Sequence, residues 1–109
     1  MLSKEHRLPA RTKLSRPLFF KTPLFAVKTG KNGTSQSRFA FLVRKSVDKR
    51  AVVRNRIRRV FRSCIEELLE KISPGYDMLF FLEKGIMDER QENLCKYLKG
   101  FLKEKGLLR

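Results

Sequence analysis

The amino-acid sequence predicts an α+β domain: a small sheet with helices packed on one of its faces. Three observations carry this reading. Residues 23–29 (PLFAVKT) and 38–45 (RFAFLVRK) are short segments rich in aromatic and β-branched side chains, the composition of strands. Residues 50–72 place Val53, Ile57, Val60, Phe61, Cys64, Leu68 and Leu69 at three- and four-residue steps, the period of an amphipathic helix. Residues 76–82 (YDMLFFL) form a nearly unbroken apolar run of strand length.

Taken in order, residues 1–22 are basic and interrupted by Pro9 and Pro17. They read as an arm with at most a short helical turn, leaving 23–109 as the single domain. The segment 30–37 (GKNGTSQS) is a turn or loop by composition, so the strands on either side of it are expected to form a hairpin. The helix over 50–72 stops at Ser73-Pro74-Gly75. The run 76–82 fits a strand covered on both faces, in the middle of a sheet. After Glu83-Lys84-Gly85, Asp88 can cap a last helix with Gln91 three residues on. Leu94, Tyr97, Leu98, Phe101 and Leu102 then form its core stripe.

Charge narrows the function. The chain of 109 residues has a formal net charge of +15. Residues 1–62 hold 18 Lys/Arg and two acids, Glu5 and Asp48, whereas residues 63–109 hold eight Lys/Arg and nine acids. A polyanionic partner is implied, met by the first half and the middle of the chain. No apolar run approaches the roughly 20 residues of a membrane span. The N-terminal stretch lacks the apolar segment of a signal peptide, so a cytoplasmic location is expected. Cys64 and Cys95 both fall on apolar helical stripes, which predicts buried, reduced thiols rather than a disulfide.

The stretch Ala51–Ser63 (AVVRNRIRRVFRS) contains five arginines and no acid. At 100° per residue, Asn55, Arg58, Arg59 and Arg62 lie opposite the apolar face, with Arg54 and Arg56 on its flanks. Glu66, Glu67 and Glu70 follow in the C-terminal half. A helix dipole favours the reverse order, by about 0.3–1 kcal/mol per charge. Arginines four apart, such as Arg54 and Arg58, also repel. An anion-binding helix has reason to tolerate this, because its N-terminal N–H groups and the arginine forks both face phosphate.

Other candidates are weaker. His6 stands alone in the basic segment and reads as solvated rather than catalytic. No paired carboxylates or Cys/His cluster stand at metal-binding spacing. Phe39 and Phe41 share a strand face and can either stack bases or pack under a helix. The residues alone leave open a structural RNA-binding protein, such as a ribosomal protein. A peripheral membrane binder is disfavoured, since the basic helix keeps no exposed apolar stripe.

The segment RFAFLVRKSVDKRAVVRNRIRRVFR, residues 38–62, resembles the signature of the bacterial ribonuclease P protein subunit. The resemblance rests on Ala51, Val52, Arg54, Asn55, Arg56, Arg58, Arg59 and Arg62. HRLP (6–9), PLF (23–25) and GYDMLFFLEKG (75–85) add to it. It implies a ribonuclease P protein-like fold (ribosomal protein S5 domain 2-like) with a left-handed strand–helix–strand crossover. It also implies two partners, a catalytic RNA and precursor tRNA, with no further protein required. The chemistry and the Mg2+ ions would belong to the RNA, so no active site is expected in the protein. Arg54, Asn55, Arg56, Arg58, Arg59 and Arg62 would meet the RNA subunit. Lys28, Phe39, Phe41, Arg44, Lys45, Lys49 and Arg50 would line or flank a cleft for the single-stranded 5′ leader. Two features depart from the family pattern. The first helix is expected to be short or absent, because prolines interrupt it and Phe19 and Phe20 are adjacent rather than one turn apart. Arg44 and Ser46 differ from the usual Ser-Lys-Lys pattern, while Lys45 is kept.

Overall fold

The computed structural model describes residues 2–109. Strand β4, Tyr76–Leu82, occupies an interior position in a four-stranded sheet, with Asp77, Met78, Leu79, Phe80 and Leu82 buried. On one side it pairs antiparallel with β2, Phe25–Lys31; on the other it pairs parallel with β3, Arg38–Leu42. Strand β1, Leu18–Lys21, extends the sheet beyond β2, giving the order β1-β2-β4-β3.

The expected hairpin therefore does not form: β4 lies between the two segments predicted to pair. The reason lies in β4 itself, whose apolar run needs a neighbour at each edge as well as cover on both faces. The intervening loop must then cross two strand spacings, about 10 Å, which its length allows. Its Asn32 and Ser37 bind the next turn instead. Ser37 Oγ donates to the Ser73 carbonyl (2.7 Å) and accepts from the Tyr76 N–H (3.1 Å), while Asn32 N–H donates to the Gly75 carbonyl (2.9 Å).

Helix α1, Ala51–Leu68, connects the parallel strands β3 and β4, and helix α2, Gln91–Glu104, closes the fold. α1 buries Ile57, Phe61, Cys64, Ile65 and Leu68, and α2 buries Leu94, Cys95, Leu98, Phe101 and Leu102. Both pack on the sheet face that carries Phe25, Val27, Phe39, Met78, Phe80 and Leu82. Phe25 sits at the centre, its ring 5.4 Å from Phe61, 5.6 Å from Phe80 and 5.1 Å from Phe101 between centroids. Asp88 does not cap α2. Burial of Ile86 draws Lys84–Asp88 into a 3-10 turn, and the N-cap falls on Arg90.

The basic N-terminal segment is more structured than predicted. A single 3-10 turn, Lys4–His6, is the only helical turn ahead of β1 among the described residues. Leu2 and Leu8 are buried, and Leu8 N–H donates to the Phe39 carbonyl at 2.8 Å. β1 had no clear sequence signal. It sends adjacent side chains to opposite faces: Phe20 packs edge-on against Phe101, while Phe19 stays exposed.

Cys64 and Cys95 form a disulfide between α1 and α2, with Cα atoms 5.0 Å apart. This corrects the expectation of reduced thiols. Each cysteine was correctly placed on a buried stripe, but the two stripes face each other where the helices meet. Closing a loop of 31 residues is worth about 3–4 kcal/mol in chain entropy. Urea unfolding of the oxidised chain is therefore expected to give a higher midpoint than the same experiment with reductant, and Cys64→Ala/Cys95→Ala should lose the difference.

Candidate nucleic-acid interface

The start of α1 is built around an acid just outside the helix. The Asp48 carboxylate accepts from Arg50 N–H (2.8 Å), Arg50 Nε (3.1 Å) and Arg50 Nη2 (2.9 Å), and Lys84 Nζ lies 3.5 Å away. These hydrogen bonds from Arg50 hold the Asp48 carboxyl well below the usual carboxylate range. Arg54 Nη1 donates to the carbonyls of Asp48 (2.9 Å) and Lys49 (2.8 Å), tying the helix to the loop before it. Arg50 occupies the N-cap without a side-chain cap, and the first turn contains no acid. Its N–H groups are thus left for an external acceptor.

Beyond that turn the arginines divide into two sets. Arg54, Arg58 and Arg62 run down one flank of α1 at four-residue steps and are half-buried. Burial, followed by the charges of Arg54 and Arg62 on either side, lowers the pKa of Arg58. The repulsion expected from the spacing is therefore present. Asn55 accepts a hydrogen bond from Arg58 Nη2 and so orients that guanidinium. Arg56 and Arg59 are exposed, and neither forms an ion pair with a described residue. Arg62 lies over the Phe41 ring at 5.9 Å. Together with Arg7, Leu2 and Leu8 it borders a recess of about 370 Å3 at the edge of β3.

Phe39 and Phe41 do share a strand face, but it is the face under the helices. Phe39 is buried, and Phe41 stacks on Phe80 with centroids 5.9 Å apart. Phe39 therefore offers no ring to a base, and packing is its role. The opposite face carries Phe81, which sequence reasoning missed, and the exposed Phe19, which stands across from Lys28. Lys28 Nζ lies 5.9 Å from the Phe81 centroid and Arg44 Cζ 5.4 Å. The period-two alternation is hidden because β4 is apolar at nearly every position; the helices cover Phe80 and Leu82, and strand alternation then puts Phe81 on the other face. The N-terminal segment covers part of this face, where Leu8 packs with Ala40 and Leu79. Lys28, Arg44, Lys45, Lys49 and Arg50 are all exposed.

His6, Arg38 and Asp77 serve the fold. His6 is half-buried rather than solvated, its Nδ1 2.8 Å from the Ser37 carbonyl. Arg38 forks onto Asp77 through Nε (2.9 Å) and Nη2 (2.8 Å), and Asn32 also donates to that carboxylate. Among the described residues no group of three or more His, Cys, Asp or Glu could hold a metal ion. The two buried acids, Asp48 and Asp77, are both engaged by arginine. Neither carboxylate, as placed, is left open for a resident Mg2+.

These features define a class: a small, strongly basic α+β domain with an uncapped helix N-terminus and an arginine flank beside its sheet. The sequence model of the family Ribonuclease P matches residues 3–106, and the chain belongs to that family. The ribonuclease P protein component of Microcystis aeruginosa is 35% identical over 72 residues, covering 66% of this chain and 60% of that protein. The corresponding protein of Clostridioides difficile is 35% identical over 74 residues, covering 67% and 64%. The chain spans about three-fifths of the length of the first of these relatives. The fold matches the RNase P protein from Staphylococcus aureus with a TM-score of 0.73 at 20% identity, over 100% of this chain and 96% of that one. It matches the RNase P protein from Thermotoga maritima with a TM-score of 0.73 at 22% identity, over 82% and 84%. No helix among the described residues is long and apolar enough to cross a membrane.

The Asp48 clasp makes a pH prediction. Its folded pKa lies below the unfolded value of about 3.9. The stabilisation is thus fully present above that value and is lost as pH falls below it. Asp48→Asn is expected to lower the melting temperature at pH 7 and to flatten the decline in stability on acidification. Thermal melts across the acid range check both.

Proposed function

We propose that this chain is the protein subunit of ribonuclease P, which binds the catalytic RNA and the 5′ leader of precursor tRNA and so assists endonucleolytic removal of the leader in the cytoplasm. The observation that carries the reading is the arginine flank of α1, kept in an order that its own helix dipole and its own repulsion oppose. In a chain of this family, a polyanion that meets Arg54, Asn55, Arg56, Arg58, Arg59 and Arg62 accounts for that order. RNA phosphates would approach the uncapped first turn, with Arg56 and Arg59 free to fork onto them. Catalysis would belong to the RNA and the Mg2+ it binds.

The leader would lie on the opposite sheet face, across Lys28, Phe81 and Arg44, where an aromatic ring between two cations suits a single strand. Lys45, Lys49 and Arg50 lie between this face and the start of α1. One loop would thus join the leader to the RNA subunit.

The decisive experiment is reconstitution with a bacterial ribonuclease P RNA at low Mg2+. Stimulated cleavage of precursor tRNA is expected, with no cut by the protein alone. No stimulation with any such RNA overturns the reading. Within it, Arg56→Glu/Arg59→Glu and the control Lys99→Glu/Lys103→Glu each take the formal charge from +15 to about +11, since each substitution removes two units. The helix pair should lose RNA affinity, and the steepness of the salt dependence should fall by roughly one unit per phosphate contact. The control should lose little of either. Equal losses would mean that α1 supplies only general charge.

A second variant tests the leader face. Phe81→Ala is expected to weaken holoenzyme binding to precursor tRNA by about 1 kcal/mol or more, the scale of one stacked base, and to leave binding of mature tRNA unchanged. Competition binding with the two tRNAs measures this.

A further inference from the structure

At the other end of the sheet from the arginine flank, β1 and α2 border a groove of about 710 Å3. This is within the range of small-ligand sites, roughly 300–1,000 Å3. Three observations set it apart from ordinary surface.

The first is Gly100, in the middle of α2. Glycine weakens a helix interior relative to alanine, so an internal reason for it would be close packing. None exists, since a Cβ at Gly100 would meet nothing within 4 Å. The position is exposed and lines the groove. Its missing side chain leaves the helix backbone open to an external group.

The second is aromatic surface. Tyr97 is 41% exposed although it belongs to the apolar stripe of α2, and its ring is held edge-on against Phe25 at 6.2 Å. Phe20 lines the opposite wall, edge-on to Phe101. The third is charge. Lys21, Lys96 and Lys105 line the groove against one acid, Glu104, which Lys105 itself pairs with at 3.7 Å. Lys105 Nζ also lies 4.9 Å from the Phe20 centroid, so cation and ring already meet there.

We propose that this groove is a second binding site for single-stranded RNA, separate from the leader face and the arginine flank, with a base stacked on Tyr97 over Gly100 and phosphates met by Lys96 and Lys105. Exposed aromatic rings with lysines at the rim are the usual means of holding a single strand without sequence preference. The other occupant to consider is a peptide strand added to the free edge of β1. That edge is only four residues long, and an added strand would not explain the lysines or the open glycine.

The test uses the full chain carrying Arg56→Glu, Arg59→Glu and Phe81→Ala, so that failure of the groove and failure of the proposed function can be told apart. The probe is a fluorescein-labelled uridine decamer. Amide resonances of Lys96, Tyr97, Gly100 and Lys105 are expected to shift on titration. Lys96→Glu/Lys105→Glu should weaken binding at least tenfold, while Lys99→Glu/Lys103→Glu should change it less than about threefold. Gly100→Gln should raise the melting temperature slightly, by filling a helix position with a better helix former, and should still weaken decamer binding at least fivefold. Unshifted groove amides, equal losses in the two lysine pairs, or full binding by Gly100→Gln would each overturn the proposal. So would an acidic decapeptide that binds as tightly as the decamer.

Discussion

The structure depends on one constraint, the burial of β4. A run of seven residues that is apolar on both faces cannot lie at a sheet edge or under one layer. It takes β2 and β3 as neighbours, α1 and α2 on one face, and the N-terminal Leu8 on part of the other. Because β3 runs parallel to β4, a helix has to connect them. That helix is α1, and the loop 43–50, held by Asp48, sets its N-terminus beside the end of β3. The position of the arginine flank beside the sheet edge follows from the burial of one strand.

The same burial explains how the fold tolerates its own charge. The unfavourable dipole term acts on the first turn only and amounts to about 0.3–1 kcal/mol per charge. Burying a large apolar side chain contributes about 1.5–3 kcal/mol. α1 buries Ile57, Phe61, Ile65 and Leu68, and these outweigh the electrostatic cost of Arg54 and the repulsion around Arg58. The clasp of Arg50 on Asp48 adds local order at the point where the helix is least favoured.

Much of this was legible in the sequence. The α+β class, both long helices, the interior position of the last strand and the arginine flank follow from period and charge. What was not legible depended on partners distant in the chain. The loop 30–37 has the composition of a hairpin turn, and nothing local states that a third strand enters between its neighbours. β1 is four residues long, and its alternation of Leu18, Phe19 and Phe20 shows no polar contrast. Phe81 was missed for a related reason: β4, apolar at nearly every position, does not reveal which of its sides faces away from the helices. Asp77, a lone acid by sequence, acquires Arg38 and Asn32 only once β3 and the loop before it are in place.

Both ends of the sheet are also guarded against growth. At β3 the outward backbone is occupied at one point by the N-terminal segment, through the bridge between Arg7 and Phe39. At the other end β1 is kept to four residues between Pro17 and Pro23 and finishes on Lys21, and short, charged edges flanked by proline resist pairing with another chain. Edges of this kind disfavour intermolecular sheet even at high concentration. In this fold the proline-broken, positively charged start of the chain acts as a solubility device for the sheet it borders.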